Sequence, residues 1–444
     1  MSMPAFRFHG GVHPPAPNPA RLDSHSVGLP IPERVILPLQ SIAGRRFRPR
    51  VKPGQHVKTG QVVGIAEESD EFPLHATVSG RVEEFMGHPT PYGTDMPTLS
   101  IRSDPGRQHP VPGDLHESHD SPSVDEMLER IREAGVSGMG GSGTPTHTRL
   151  ARAQKKHIAM VIVNGTETDP ALSSDFRTMA EHTKDLISGI QVLLSVTGAS
   201  RAVVALTKRR AAALPSLRKQ IRRIKAVSVS IVEDRYPVSH PFALIRCVTG
   251  KNLRPGDTPA DVGLYLQNAS TTVALSLAVR RRVPLVERIV TVCGDGIREP
   301  KNIRVRIGTP IRDVIKHCGG AVSSDVRLLA GGPMRGRMLR TDEVPVLADT
   351  PGIMVMRIAS PLRPDPLPCI TCGRCVTCCP MRLVPFRIAH FATLEDVGGA
   401  FRHGIDRCIH CGCCSYICPS MRPLSAWIAA LAADRFSLHE ATRT

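Results

Sequence analysis

Two stretches decide how the C-terminal part of this chain folds. The first is Cys369-Ile370-Thr371-Cys372-Gly373-Arg374-Cys375-Val376-Thr377-Cys378-Cys379-Pro380. The second is Cys408-Ile409-His410-Cys411-Gly412-Cys413-Cys414-Ser415-Tyr416-Ile417-Cys418-Pro419. Each contains C-x2-C-x2-C-x3-C-P. Thiolates at i, i+3 and i+6 wrap one side of a metal–sulfur cube, and the fourth, on the turn that follows, points at the neighbouring cube. The spacing therefore predicts two [4Fe–4S] clusters with interleaved ligands. Cys369, Cys372, Cys375 and Cys418 take one; Cys408, Cys411, Cys414 and Cys379 take the other. Structural zinc pairs two C-x2-C units and leaves the third Cys and the Cys-Pro, twice over, without a role. Cys378 and Cys413 are surplus and are expected to pack. Interleaving holds the clusters close, so the expected role is electron conduction.

Working outward, ten of the thirteen cysteines lie between Cys369 and Cys418 in a chain of 444 residues. A disulfide scaffold spreads its cysteines through a small secreted chain, so metal is the better reading. Cys247, Cys293 and Cys318 stand alone in apolar surroundings and read as buried structural thiols. The length suggests about three domains. With 41% apolar and 22% charged residues, disorder of the whole chain is excluded. Eleven Phe, four Tyr and one Trp are too few for a nucleic-acid stacking platform.

Lys and Arg outnumber Asp and Glu 57 to 40, a net charge of +17. The cations fall in short groups such as Lys208-Arg209-Arg210 and Arg280-Arg281-Arg282. They suit a solvated basic face or an acidic partner. No apolar run reaches the ~18–20 residues that span a bilayer, and Met1–Arg7 lacks the apolar core of a signal peptide. The expected location is the cytosol, or the cytosolic side of a membrane through a partner.

Upstream of the cysteines the pattern is α/β. Ser123 caps a helix over 124–133, with Glu126 at the capping-box position. Ile158–Asn164 reads as a buried parallel strand. A helix is expected over Thr178–Thr197, a strand over Ala202–Thr207, a basic helix over Leu214–Lys225 and a strand over Val227–Val232. Strands at Arg288–Cys293 and Asn302–Ile307 then precede a helix with Thr309 as cap and Pro310 in its first position. A last helix is expected over Ser425–Asp434. Linkers are read at 103–123 and 363–368. Residues 51–82 alternate like strands around Pro53-Gly54 and resemble a biotinyl or lipoyl carrier sandwich without the displayed Lys.

Gly138-Met139-Gly140-Gly141-Ser142-Gly143-Thr144-Pro145-Thr146-His147 lets backbone approach a ligand closely and can cradle phosphate. It is not a G-x-G-x-x-G fingerprint after a strand. Asn164-Gly165-Thr166-Glu167-Thr168-Asp169-Pro170 follows the first buried strand, where α/β sheets bind ligands.

Over almost its full length the chain resembles the RnfC family, the C-type subunits of the bacterial Rnf (Rsx) ion-translocating electron-transport complex. The resemblance is carried by Phe8-His9-Gly10-Gly11-Val12-His13-Pro14-Pro15, His75–Gly80, Gly140–His147, Asn164–Pro170, Pro259–Gly263, Gln267-Asn268, Thr291–Asp295, Arg306–Ile311, Gly331–Met334 and the twin cysteine motifs. It implies a multidomain α/β protein. A β barrel-sandwich (1–105) precedes a Rossmann-like FMN/NADH domain (120–275). A small β-grasp-like SLBB domain (285–345) and an α-helical two-cluster ferredoxin domain (360–435) follow. It also implies a peripheral subunit on the cytoplasmic face of the inner membrane that passes electrons between NADH, FMN and the iron–sulfur subunits of its complex. An acidic ferredoxin or flavodoxin is a further implied partner.

Carried over residue by residue, Gly138, Gly140, Gly141, Gly143, Arg149, Asn164, Glu167, Asp169 and Asn268 line the flavin and nucleotide site. No acid–base residue is expected, because hydride transfer needs none. The family commonly shows Ala-Gly-Phe-Pro where this chain has Ser142-Gly143-Thr144-Pro145, Lys at Arg149, and Glu-Cys-Glu-Pro at Glu167–Pro170. It shows Tyr-Pro-x-Gly-x-Glu where Tyr236–Pro241 stands. Two alternatives stay open: a flavin-free electron wire and docking subunit, and a soluble Rnf-like cobalamin reductase.

Overall fold

The computed structural model describes residues 6–15, 24–41, 44–68, 70–93, 95–106, 111, 122–254, 256–358 and 365–441, with side chains to 432. Most of the 103–123 linker and the start of the 363–368 linker lie outside the described residues.

The central unit is a four-stranded parallel sheet. Its spatial order is Val227–Val232, Arg201–Thr207, Met160–Asn164, Leu264–Asn268. Both faces are covered. Ile131, Leu150, Leu186, Leu193 and Val273 pack on one side, and Ala243, Leu244 and Val248 on the other. That double coverage explains why Val161, Ile162 and Val163 form an unbroken apolar run. Strand order reverses between the first and fourth strands. Such a reversal opens a crevice at the carboxyl ends, where Asn164 and Asn268 are register partners.

Local signals account for most elements. The helix Val124–Glu133 begins with the expected capping box: Glu126 N donates to Ser123 Oγ at 3.3 Å, and Ser123 N to Glu126 Oε2 at 2.7 Å. The expected helix over 178–197 is instead two, Ser174–Glu181 and Thr183–Thr197, broken at His182. Thr178 and Thr183 donate their hydroxyls to Ser174 O and Met179 O, a back-bonding that competes with a regular ladder. The basic helix over 214–225 shortens to Pro215–Ile221, preceded by a separate turn of helix, Lys208–Ala213. Thr309 is not the cap expected of it. Its hydroxyl turns back to Arg306 O, and Pro310 stands before the helix Ile311–His317. The last helix is longer than expected, Leu424–Ala441.

The N-terminal barrel-sandwich pairs two antiparallel sheets around Val35, Leu37, Val57, Val63, Val78, Leu99 and Ile101. The next unit is a mixed sheet of six strands: Val27–Gly28, Lys301–Arg306, Glu287–Cys293, Gly352–Arg357, Val326–Ala330 and Arg337–Leu339. Its edge strand Val27–Gly28 comes from the chain's first tenth and lies parallel to Lys301–Arg306. The cysteine region forms short helices around Leu383, Ile388, Ala400, Ile405, Leu424 and Ile428.

The segment 6–12 joins the central sheet to the cysteine region. Phe8 is buried in the sheet's second core, and Arg235 stacks on its ring at 4.5 Å. Gly11 N donates to Cys378 O, and Val12 pairs with Tyr236. The two glycines are required here. Gly10 has φ +67°, and a Cβ on it would stand 2.5 Å from Cys378 O; Gly11 has φ +84°, and its Cβ would stand 2.6 Å from Tyr236 O.

Candidate functional site

A cleft of about 390 Å³ opens beside the switch point. The glycine loop Gly140–Ser142, Thr168 and Asp169, and His240-Pro241 line it. The six-stranded unit closes it with Gly331, Gly332, Arg335, Arg337 and Asp349, and Tyr92 reaches in from the barrel. The loop is open where it faces the cleft. Gly141, at φ +97°, has nothing within 4 Å of an added Cβ.

The residues singled out from sequence divide into three groups. Gly140, Gly141 and Asp169 line the cleft. Gly138 and Gly143 shape the loop, since Gly143 N donates to Gly138 O and Gly138 N to Thr144 O. The other four face elsewhere. Asn164 accepts from Thr166 N and Oγ1 and donates to Ser239 O, fastening the loop after its strand. Asn268 caps its helix and donates to Asp175 Oδ2. Arg149 donates to Leu266 O and lies 5.4 Å over the Tyr265 ring. Glu167 takes a left-handed backbone, φ +66°, and turns inward. It accepts from Phe176 N at 2.7 Å and from Arg210 Nη1 at 2.9 Å. Burial raises its carboxyl to about 7 against the pull of Arg210.

Asp169 ties the domains together. Its Oδ2 accepts from Met334 N at 3.0 Å and from Arg335 N at 3.2 Å. Burial raises its carboxyl to about 6, although these donors and Arg335 favour the anion. Burial likewise holds His240 down to about 4, helped by Arg335, so the cleft wall carries a neutral imidazole at pH 7.

The cleft suits a flavin mononucleotide by its donor set. Among the described residues, Thr168 Oγ1 and Asp169 Oδ1 are buried without a hydrogen-bond partner, the glycine wall admits close approach, and Arg335 and Arg337 supply cations for a phosphate.

Cys375, Cys379 and Cys414 share one core with Cys408 packed against it. Leu367 N donates to Ser420 O, which brings the Cys418 turn beside the Cys369 segment. Among the described residues, no three His, Cys, Asp or Glu converge tightly enough for one metal ion. Cys378 and Cys413 are buried with Val12 and Tyr236. Cys369 and Cys372 are exposed.

One loop touches both places. Gly331–Arg335 lines the cleft with Gly331, Gly332 and Arg335, while Met334 packs with Cys411 and Cys413. Met334 O lies against Gly412, where an added Cβ would stand 2.9 Å away. Sequence reading missed Tyr92, Arg335, Arg337 and Asp349, which arrive from other domains. The Gly331–Met334 motif beside them was the available signal.

Four domain families match in order. The RnfC barrel sandwich hybrid domain matches residues 6–106, the Nuo51 FMN-binding domain 131–277, the SLBB domain 289–337 and the 4Fe-4S dicluster domain 362–419. The C-type subunit of a proton-translocating ferredoxin:NAD(+) oxidoreductase complex from Clostridium ljungdahlii is 34% identical over 85% of this chain and 82% of its own. Its counterpart in an ion-translocating oxidoreductase complex from Rhodobacter capsulatus is 34% identical over 90% and 78%. The counterpart in the Na(+)-translocating ferredoxin:NAD(+) oxidoreductase complex from Acetobacterium woodii is 31% identical over 87% of each. A chain of an NAD+-reducing [NiFe]-hydrogenase shares the fold, with TM-score 0.51, 18% identity, and coverage of 70% of this chain and 63% of its own.

Proposed function

Because the chain belongs to the family of C-type subunits of ion-translocating ferredoxin:NAD(+) oxidoreductase complexes, we propose that its cleft is the flavin site through which electrons pass between NADH and the cysteine-bound clusters. It is an electron-transfer subunit built for FMN and two [4Fe–4S] clusters, and the other subunits of its complex are its partners. Flavin supplies the exchange between a two-electron hydride and single electrons, and the protein supplies binding, orientation and electrostatics.

The Gly331–Arg335 loop carries this reading, because it borders the cleft and the Cys411 site at once. Gly140, Gly141, Thr168, Asp169, Arg335 and Arg337 hold the flavin. Cys379, Cys408, Cys411 and Cys414 hold the cluster nearer the cleft. Cys369, Cys372, Cys375 and Cys418 hold the outer one, whose exposed Cys369 and Cys372 face the next carrier. That carrier is an iron–sulfur subunit of the complex or an acidic ferredoxin or flavodoxin, attracted by the positive surface. The subunit sits on the cytoplasmic face of the inner membrane through its partners; no described helix is long and apolar enough to cross a membrane.

The test is flavin and iron content of the anaerobically reconstituted chain, followed by NADH titration. About eight irons and one FMN, bleached by NADH, are expected. Eight irons without flavin would make the chain a wire and overturn the electron-entry reading.

A further inference from the structure

We propose that Arg335 electrostatically couples the cleft to the Cys379/Cys408/Cys411/Cys414 site, its one positive charge favouring the reduced form of the group in each. The inference rests on the flavin and cluster reading above.

The geometry is specific. Asp169 fixes the backbone at Arg335 by accepting its N–H at 3.2 Å and that of Met334 at 3.0 Å. From that anchor Arg335 lines the cleft, while the adjacent Met334 packs against the cluster of Val12, Tyr236, Cys378, Cys411 and Cys413. Arg335 stands between the two sites. On the cleft wall its charge favours the Asp169 anion and the neutral form of His240. On the cysteine side the carbonyl of Met334, the residue before it, lies against Gly412, where an added Cβ would stand 2.9 Å from Met334 O. No ion pair engages it among the described residues, in contrast to the buried Arg210, which is committed to Glu167. Arg337 also borders the cleft, but it stacks on Tyr92 at 5.7 Å, on the barrel side.

Reduction adds an electron to the cluster and negative charge to the flavin. A fixed cation within Coulomb range stabilises both additions, though a partly exposed one is weakened by solvent and salt. Because the same charge acts on both groups, it raises both potentials together and leaves the step between them nearly level. The outer site, bounded by exposed Cys369 and Cys372, is screened from it.

The experiment uses the full chain with flavin and both clusters loaded, as wild type, Arg335→Gln, Arg335→Lys and Arg337→Gln. Cluster potentials come from redox titration followed by electron paramagnetic resonance, and the flavin potential from absorbance. Arg335 uses only its backbone in the Asp169 clamp, so Arg335→Gln should keep its iron; its side chain also helps hold the flavin, so flavin is added in excess until the site is full, and the cluster potential reads the coupling even where flavin binds more weakly. At fixed potential, its reduced-to-oxidised ratio should fall about five- to tenfold for the flavin and for one cluster; tenfold corresponds to about 59 mV for one electron. The second cluster should not move. Arg335→Lys should retain most of the effect, and Arg337→Gln should shift the flavin alone. Unchanged potentials in Arg335→Gln, equal shifts of both clusters, or a shift of the flavin alone would overturn the coupling. Wild-type protein that fails to take up flavin, or holds far fewer than about eight irons, would instead remove the underlying reading.

Discussion

The Tyr236 hydroxyl donates to the Cys411 carbonyl oxygen at 2.8 Å. A side chain from the turn after the third sheet strand thereby holds the backbone of a cluster ligand in the next domain. Tyr236 is also the pairing partner of Val12, so three parts of the chain meet at one ring. Tyr236→Phe should cost about 1–3 kcal/mol, because the Cys411 carbonyl loses a buried partner. Denaturant unfolding of the loaded protein measures it, with iron content unchanged.

Interleaved ligation has a simple signature. Cys379→Ser should abolish the cluster held by Cys408, Cys411 and Cys414 and spare that of Cys369, Cys372 and Cys375; Cys418→Ser should do the reverse. Each variant should retain about four irons of eight. Loss of the cluster on the mutated residue's own motif would refute the pairing.

Gly10 combines a left-handed backbone with contact on Cys378 O. Gly10→Ala should lower stability by about 2 kcal/mol or more, above the ~1 kcal/mol of backbone strain alone, because the clashing partner is rigid backbone. Limited proteolysis ahead of Val12 should accelerate, while Gly44→Ala, with nothing within 4 Å, should show only the strain.

Glu167 and Arg210 form a buried pair at 2.9 Å. Removing the cation strands a carboxylate of which one oxygen already has no partner among the described residues. Arg210→Ala should therefore cost about 3–5 kcal/mol, and Glu167→Gln with Arg210→Met far less than the sum of the single changes. A double-mutant cycle decides this.

His75 is buried, hydrogen-bonds the Glu133 backbone, and is held down to about 4 by burial. Its folded-state value lies below the unfolded 6.5, so its contribution is full above pH 6.5 and is lost as pH falls toward 4. At the low end the loss is about 3 kcal/mol. His75→Gln should flatten the pH dependence of unfolding across that window; an unaltered slope would mean that other groups, such as His240, account for it.

The cysteine sites were legible because a cube's geometry imposes spacing on a single short loop. The parallel sheet was legible because burial on both faces leaves an apolar run such as Val161–Val163. Which way polar residues face was not. Nothing local to Asn164–Pro170 says that Glu167 turns inward to Arg210, or that Arg149 lies over Tyr265; both follow from partners distant in sequence. Arg335 and Arg337 escaped for the same reason, since the six-stranded unit must dock before they border anything. The break at His182 depends on threonine hydroxyls choosing backbone carbonyls, a choice invisible in apolar periodicity.

The glycines at 10 and 11 also bear on how the molecule is made. The stretch around Gly10 settles against Cys378 and Tyr236, both translated long after it. Its docking place is complete only when the cysteine region has taken shape. Closure of the fold is thus a late event, coincident with maturation of the cysteine region.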